Sequence, residues 1–194
     1  MHRIFISDLH LDDPDTPAFQ RFSECLLMEA ARVDEIYILG DLMEMWIGDD
    51  DDSPGALALQ NRLSEIAAAC PVFLMHGNRD FLFADAFAAR TGIEIIDDPY
   101  CTQDGVLLSH GDSLCTDDAE YQAMRTLLRS AAWQQDILDK TLHERKAFGQ
   151  ALREQSKNSN ANKAANIMDV NPAATDALMA QHQPAAQTLI HGHT

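Results

Sequence analysis

Apolar residues come in short unbroken runs in the first half of this chain and at three- to five-residue steps in much of the second. Arg3-Ile4-Phe5-Ile6, Glu35–Leu39 and Val72–Met75 are brief and rich in β-branched or aromatic residues, which predicts buried strands. Thr16-Pro17 supplies a hydroxyl N-cap and a proline at the first helical position. Phe19, Phe22, Leu26 and Ala30 then recur at helical spacing. Leu57–Ala69 and the region around Phe81–Arg90 predict two more helices. Glu94–Ile96, Tyr100–Thr102 and Val106–Leu108 predict a second group of strands, with a turn at Asp104-Gly105. From Asp117 the pattern turns helical through Tyr121, Met124, Leu128, Trp133, Ile137, Leu142, Phe148 and Leu152, an expected insertion over about 117–169. Pro172 opens a last helix to about Gln181, and Thr188-Leu189-Ile190 is a last strand. Strand, crossover and strand in repetition predict one α/β domain over 1–194, with its site beyond the carboxyl ends of the strands.

Each of these strands runs out into polar residues. Asp8 and His10 leave the first strand, expected on one side of an extended segment; Gly40-Asp41 leaves the second; Gly77-Asn78-Arg79-Asp80 the third. His110 and the pair His191 and His193 end later strands. Each has a commonplace reading, since Asp and Asn after Gly are usual turn residues and a lone His is usually satisfied locally. Their recurrence at successive strand ends is harder to explain that way. Carboxylate, imidazole and amide oxygen together suit Mn, Fe or Zn better than Ca. There are more such groups than one ion needs, and a pair of ions sharing a carboxylate suits displacement at phosphorus by a water deprotonated between them.

Charge narrows the partners. Lys and Arg number 14 against 31 Asp and Glu, a net of −17, so general nucleic-acid binding is not expected. The stretch 120–165 departs from this with eight basic and five acidic residues, beside apolar stripes that would suit an anionic amphiphile or a membrane surface. The acidic run Asp49–Asp52 reads as a solvated loop, because neighbouring side chains cannot converge on one ion. Four irregularly spaced cysteines suggest reduced thiols. With no signal segment before the first strand and no apolar run near the ~18 residues of a bilayer span, a cytoplasmic protein is expected.

Asp8-x-His10, Gly40-Asp41, Gly77-Asn78-Arg79-Asp80, His110-Gly111-Asp112 and Gly192-His193 together resemble the ordered motif set of the calcineurin-like metallophosphoesterases. Longer strings narrow this: Trp46-Ile47-Gly48-Asp49-Asp50, His110 through Asp118, Ile167-Met168-Asp169-Val170-Asn171 and His191-Gly192-His193-Thr194 resemble the members that cleave UDP-2,3-diacylglucosamine in lipid A biosynthesis. The resemblance implies an αββα sandwich with a helical lid insertion. It implies two Mn2+ ions, the first held by Asp8, His10 and Asp41, the second by Asp41, Asn78, His110 and His193, with Asp41 bridging. Asp41, Asn78 and His110 would be catalytic. Asn78, Arg79, Asp118, Ser156, Asn160, Lys163 and His193 would contact substrate, and the lid would accept the acyl chains. The enzyme would attach peripherally to the cytoplasmic face of the inner membrane, with no protein partner expected.

The pattern departs from the family at one place. There Gly-His-Thr is followed by another His, which completes the first metal site, and by closing strands; here the sequence stops at Thr194. The expectation is a first site short of one ligand, poor binding of the first ion and little hydrolysis. Two other readings stay open at this point: a different dinuclear-metal phosphoesterase, and an inactive scaffold.

Overall fold

The computed structural model describes residues 1–160 and 165–193. Strands β1 (Arg3–Ile6), β2 (Glu35–Leu39), β3 (Val72–Met75) and β4 (Glu94–Ile96) form an all-parallel sheet in sequential order β1-β2-β3-β4. Helices α1 (Pro17–Ala30), α2 (Pro54–Ala67) and α3 (Asp85–Thr91) are its crossovers. Register puts Phe5, Tyr37 and Phe73 side by side, with ring centroids 5.3 and 4.8 Å apart. Ile4, Ile36 and Val72 fill the alternate face, followed by Ile6, Ile38, Leu74 and Ile95. That two-sided apolar content is what a parallel sheet requires. Strand β4 corrects the sequence reading: Glu94–Ile96 is the fourth strand of this first sheet, because α3 returns the chain parallel to β3 and so completes another strand-helix-strand unit.

Helix starts obey local chemistry. Thr16 Oγ1 accepts the Phe19 N–H at 3.3 Å, as the Thr-Pro pair predicts. Ser53-Pro54 repeats that device, so α2 begins three residues before the expected Leu57. Helix α3 begins at Asp85, later than the expected Phe81, because the preceding Asp80 spends its carboxylate on other parts of the backbone. Its start is capped from a distance: Asp49 accepts the Ala84 and Phe87 N–H groups at 3.2 and 2.7 Å. Gly92, at φ +75°, ends it in the left-handed conformation that glycine adopts without strain.

Strands β5 (Tyr100–Cys101), β6 (Val106–Ser109) and β7 (Thr188–His191) form a three-stranded sheet of order β5-β6-β7. Contacts divide the chain into two compact units. The first holds Met1–Tyr100, Leu108–His110 and His191–His193; the second holds Cys101–Leu107 and Gly111–Ile190.

The second unit carries the expected insertion as helices α4 (Ala119–Leu128), α5 (Ala131–Leu138), α6 (Leu142–Asn160) and α7 (Ala165–Met168), with α8 (Pro172–Gln181) next in the chain. Asp118 caps α4 and Ser130 caps α5. Thr141 and Glu144 form a capping box at α6: Glu144 N–H donates to Thr141 Oγ1 at 3.3 Å, and Thr141 N–H to Glu144 Oε2 at 2.9 Å. Buried Asp112 fastens α4, its Oδ2 accepting Tyr121 Oη at 2.9 Å and Arg125 Nε at 2.8 Å, with Arg129 Nη2 at 3.5 Å. Among the described residues no helix is long and apolar enough to cross a membrane.

Candidate metal centre

The first unit gathers Asp8, Asp41, His110 and His193, one ligand atom from each lying within 4.8 Å of every other. These residues stand 33, 69 and 83 positions apart in sequence, and the carboxyl ends of three strands and the turn after a fourth bring them together. The backbone bends hard to do so. Asp8, His10, Asp41 and His193 have φ of 56°, 50°, 51° and 66°, and among the described residues they are the non-glycine positions with positive φ. Each costs roughly 1 kcal/mol or more, although Asp and His tolerate this region better than most. The expected extended segment at Asp8 and His10 is therefore corrected to a left-handed one. Strain confined to carboxylates and imidazoles at strand ends points to a functional demand on them.

Three glycines allow the close approach. A Cβ on Gly77 would lie 2.1 Å from both the backbone N and Oδ1 of Asp41. One on Gly40 would meet Gly77 Cα at 2.6 Å and His110 Nδ1 at 2.7 Å, and one on Gly192 would meet Asp8 Oδ2 at 2.7 Å. The side chains are then fixed by hydrogen bonds. His193 N–H donates to Asp8 Oδ2 at 2.8 Å, and Arg79 N–H to Asp41 Oδ1 at 2.9 Å. His110, fully buried, places Nδ1 2.8 Å from the Leu39 carbonyl. A carbonyl only accepts, so Nδ1 carries the proton and Nε2 presents its lone pair.

That lone pair faces Asn78 Oδ1 at 3.1 Å and Asp41 Oδ1 at 3.8 Å. Acceptors brought face to face repel unless a cation lies among them. Ligands at ~2.1 Å on perpendicular bonds to one ion stand about 3 Å apart, which is the His110 to Asn78 separation. The donor set, two carboxylates, two imidazoles and an amide oxygen, thus fits a divalent transition metal. His10 lies beside this group, its Nδ1 3.9 Å from Asp41 Oδ2 and 3.6 Å from Glu44 Oε2.

Electrostatics carry the same mark. Burial, and then the nearby Asp80 carboxylate, push Asp41 well above the ordinary carboxylate range, against the pull of the Arg79 N–H and guanidinium. Burial also raises Asp80, opposed by the N–H groups of Gly77, Met43, Leu42 and Asp41 that donate to it. Without a cation Asp41 and Asp80 hold protons to higher pH than ordinary carboxylates do. A divalent ion bound at Asp41 would favour its charged form instead.

The other expected residues are more scattered. Arg79 is partly exposed, with Nη1 bonded to Glu44 and Nε 3.6 Å from Asp41 Oδ2. Asp118, in the second unit, is buried and spends Oδ1 on the Tyr121 N–H at 3.1 Å as the α4 cap. Ser156 is exposed on α6. Asn160 ends that helix, and Lys163 lies outside the described residues. Sequence reading gives no role to Glu44 or Asp80. A signal is present for both: Glu44 is a lone acid within the apolar stretch Leu42–Ile47, and Asp80 closes the Gly77-Asn78-Arg79-Asp80 turn just before the apolar run Phe81–Phe83.

The calcineurin-like phosphoesterase family matches residues 1–194. The chain belongs to that family. Among its relatives, the UDP-2,3-diacylglucosamine hydrolase of Chromobacterium violaceum is 47% identical over 98% of this chain and 81% of its own length. A protein of the same name from Aromatoleum aromaticum is 44% identical over 100% of this chain and 80% of its own. Among solved structures, the Pseudomonas putida nuclease MPE has a TM-score of 0.40 at 21% identity, covering 57% of this chain and 54% of that one. Family membership and this cluster of possible ligands together support the use of a divalent metal.

Proposed function

We propose that this chain hydrolyses the pyrophosphate bond of UDP-2,3-diacylglucosamine, giving UMP and 2,3-diacylglucosamine 1-phosphate in lipid A biosynthesis. The observation that carries the reading is the convergence of Asp8, Asp41, His110 and His193 in a chain 47% identical to a protein named for that substrate. Asp8, His10 and Asp41 would hold one Mn2+ ion, and Asp41, Asn78, His110 and His193 a second. Bound there, divalent ions supply Lewis acidity to the phosphate and make water acidic enough to attack near neutral pH.

The chain's own groups do the rest. His110 is locked by the Leu39 carbonyl so that only Nε2 faces the site. Asp41 is held from three sides by Arg79 N–H, Gly77 and the Asp80-bound turn, so its two oxygens stay aimed without rearrangement. The Arg79 guanidinium supplies positive charge for the phosphate oxygens beside these carboxylates. The water oxygen bonds to the α-phosphorus, the bond from that phosphorus to the bridging oxygen breaks, and the bridging oxygen leaves on the lipid phosphate. Peripheral attachment to the cytoplasmic face of the inner membrane is part of the proposal, supported by the lipid substrate and by the basic, amphipathic insertion.

The test is turnover of UDP-2,3-diacylglucosamine by the purified chain with Mn2+ in 18O-labelled water. The expected result is UMP release with the label in UMP, abolished in Asp41→Ala. Absence of UMP above the Asp41→Ala background, both from this chain at saturating Mn2+ and from one extended through the histidine the family carries after Gly-His-Thr, overturns the reading, as does label in the lipid product. Preference for a soluble phosphodiester would assign the same centre to a different phosphoesterase.

A further inference from the structure

Asp112 follows His110 by two residues and opens a short 3-10 turn, Asp112–Leu114. Its side chain is fully buried. The donors to its Oδ2 are Tyr121, Arg125 and Arg129, carried by α4 and its C-cap at four-residue steps and so on one face of that helix. Gln122 adds a fourth grip, donating Nε2 to the backbone carbonyls of Asp112 at 2.8 Å and Cys115 at 3.1 Å. The far end of the insertion returns to the same segment. Asn171 N–H donates to the Leu114 carbonyl at 2.9 Å and its Nδ2 to Asp117 Oδ1 at 2.9 Å, while the Cys115 thiol lies 3.2 Å from the Met168 carbonyl. The insertion therefore leaves from Asp112–Asp118 and comes back to it.

We infer that Asp112 is a positioning residue for the lipid substrate: its carboxylate fixes α4, and with it the insertion, to the segment that directly follows His110. The inference rests on the hydrolysis of a lipid nucleotide proposed above. Taking a carboxylate out of water is costly unless it is paired, but one charged donor and one neutral donor would meet that need. Here two guanidiniums and a phenol converge on one oxygen, all from a single helix, which is thereby held at three points over rather more than two turns. Bonds between charged partners are the strong ones, and turning α4 by one residue, about 100°, would carry all three donors away and strand a buried charge. The helix has one seat. The insertion also exposes apolar side chains, Leu127 on α4 at 58%, Leu138 on α5 at 39% and Phe148 on α6 at 38%. A diacyl substrate gains most from such groups when they are held in place beforehand, because ordering them on binding costs affinity.

The test compares wild type with Asp112→Asn, Tyr121→Phe and Arg125→Gln in the full chain. Asn keeps the size of the side chain and gives up its charge; if that variant fails to fold, the two α4 changes loosen the same latch from the helix side. Hydrogen exchange read by mass spectrometry should quicken about ten-fold in α4 and stay as it was in α1. Affinity for UDP-2,3-diacylglucosamine, measured by calorimetry on the chelated chain, should fall about ten-fold in Asp112→Asn, and Asp112→Asn combined with Arg125→Gln should lose less than the sum of the two. Mn2+ affinity should stay within about two-fold of wild type, a readout that general damage would move. Where the lipid is turned over, the loss should appear in KM and not in kcat. Unchanged exchange in α4 or unchanged lipid affinity overturns the inference, and so does an equal fall in hydrolysis of bis(4-nitrophenyl) phosphate, a soluble phosphodiester. Failure of wild type to release UMP would sink the proposed reaction and leave the exchange and binding results to decide this one.

Discussion

The Asp80 carboxylate accepts the backbone N–H of Asp41 at 3.2 Å, reaching across 39 residues to hold the turn that carries the central carboxylate. It also accepts the N–H groups of Leu42 at 2.7 Å, Met43 at 3.3 Å and Gly77 at 2.8 Å, and is itself fully buried. Asp80→Asn leaves one acceptor oxygen for these four donors and turns an NH2 group toward them. We expect a loss of about 3 kcal/mol in stability, since an orphaned buried N–H costs about 1–3 kcal/mol. Urea unfolding checks this, and a loss below about 1 kcal/mol would remove Asp80 from the role.

Metal-free protein should lose stability as pH rises. Asp41 and Asp80 are both raised above the ordinary carboxylate range, burial being the first cause of each. The folded chain then binds more protons than the unfolded chain, so their stabilising contribution is complete below that range and is lost as pH climbs through the raised values. The melting temperature with chelator present should be lower at about pH 8 than at about pH 5, with a smaller difference in Asp41→Asn. Mn2+ should restore more at the higher pH, because it binds the deprotonated groups. A chelated protein equally stable at both values contradicts the assignment.

Gly77→Ala tests the close packing beneath Asp41. The added methyl would meet backbone N and Oδ1 at 2.1 Å, and backbone cannot yield as a flexible side chain does. We expect about 3 kcal/mol of destabilisation and at least about a 100-fold drop in hydrolysis by whatever folds, the scale of a 1 Å misplacement. Soluble Gly77→Ala with wild-type turnover would show that the site accommodates a shift.

Asp49→Ala separates folding from chemistry. Asp49 caps α3 through the Ala84 and Phe87 N–H groups and accepts Trp46 Nε1 at 3.2 Å, yet touches none of the proposed ligands. Its loss should cost about 1–2 kcal/mol, as for other N-caps, with kcat/KM per folded molecule unchanged. Thermal melts and steady-state kinetics on one preparation decide it; a fall in kcat/KM would tie Asp49 to the site.

The strands, the helical insertion and the strand-end donors are legible in the sequence because each is local: a short apolar run, a 3.6-residue step, or a Gly beside an Asp, Asn or His. Asp49 is lost in an acidic run whose members look alike until one of them reaches a helix start 35 residues later. Ser53-Pro54 announces a helix as plainly as Thr16-Pro17 but is obscured by the same run. Membership of β4 in the first sheet depends on pairing with β3, and no property of Glu94–Ile96 alone specifies its neighbour. Glu44 and Asp80 act on groups far along the chain, so sequence reveals only an acid in an apolar stretch at Glu44 and the last residue of a polar turn at Asp80. The left-handed backbone at Asp8 and His10 contradicts the extended reading because ligand convergence outweighs local preference there.

The four left-handed residues also restrict how this chain can drift under mutation. At Asp8 and Asp41 the cheapest exchange for the backbone is Asn, which shares the tolerance for positive φ, while Val or Ile would add steric strain to the lost charge. Stability alone would therefore let these positions slide toward amides that keep the shape and lose the metal chemistry. A pool of variants sorted only for folding should be enriched in Asn there; one sorted for hydrolysis should not.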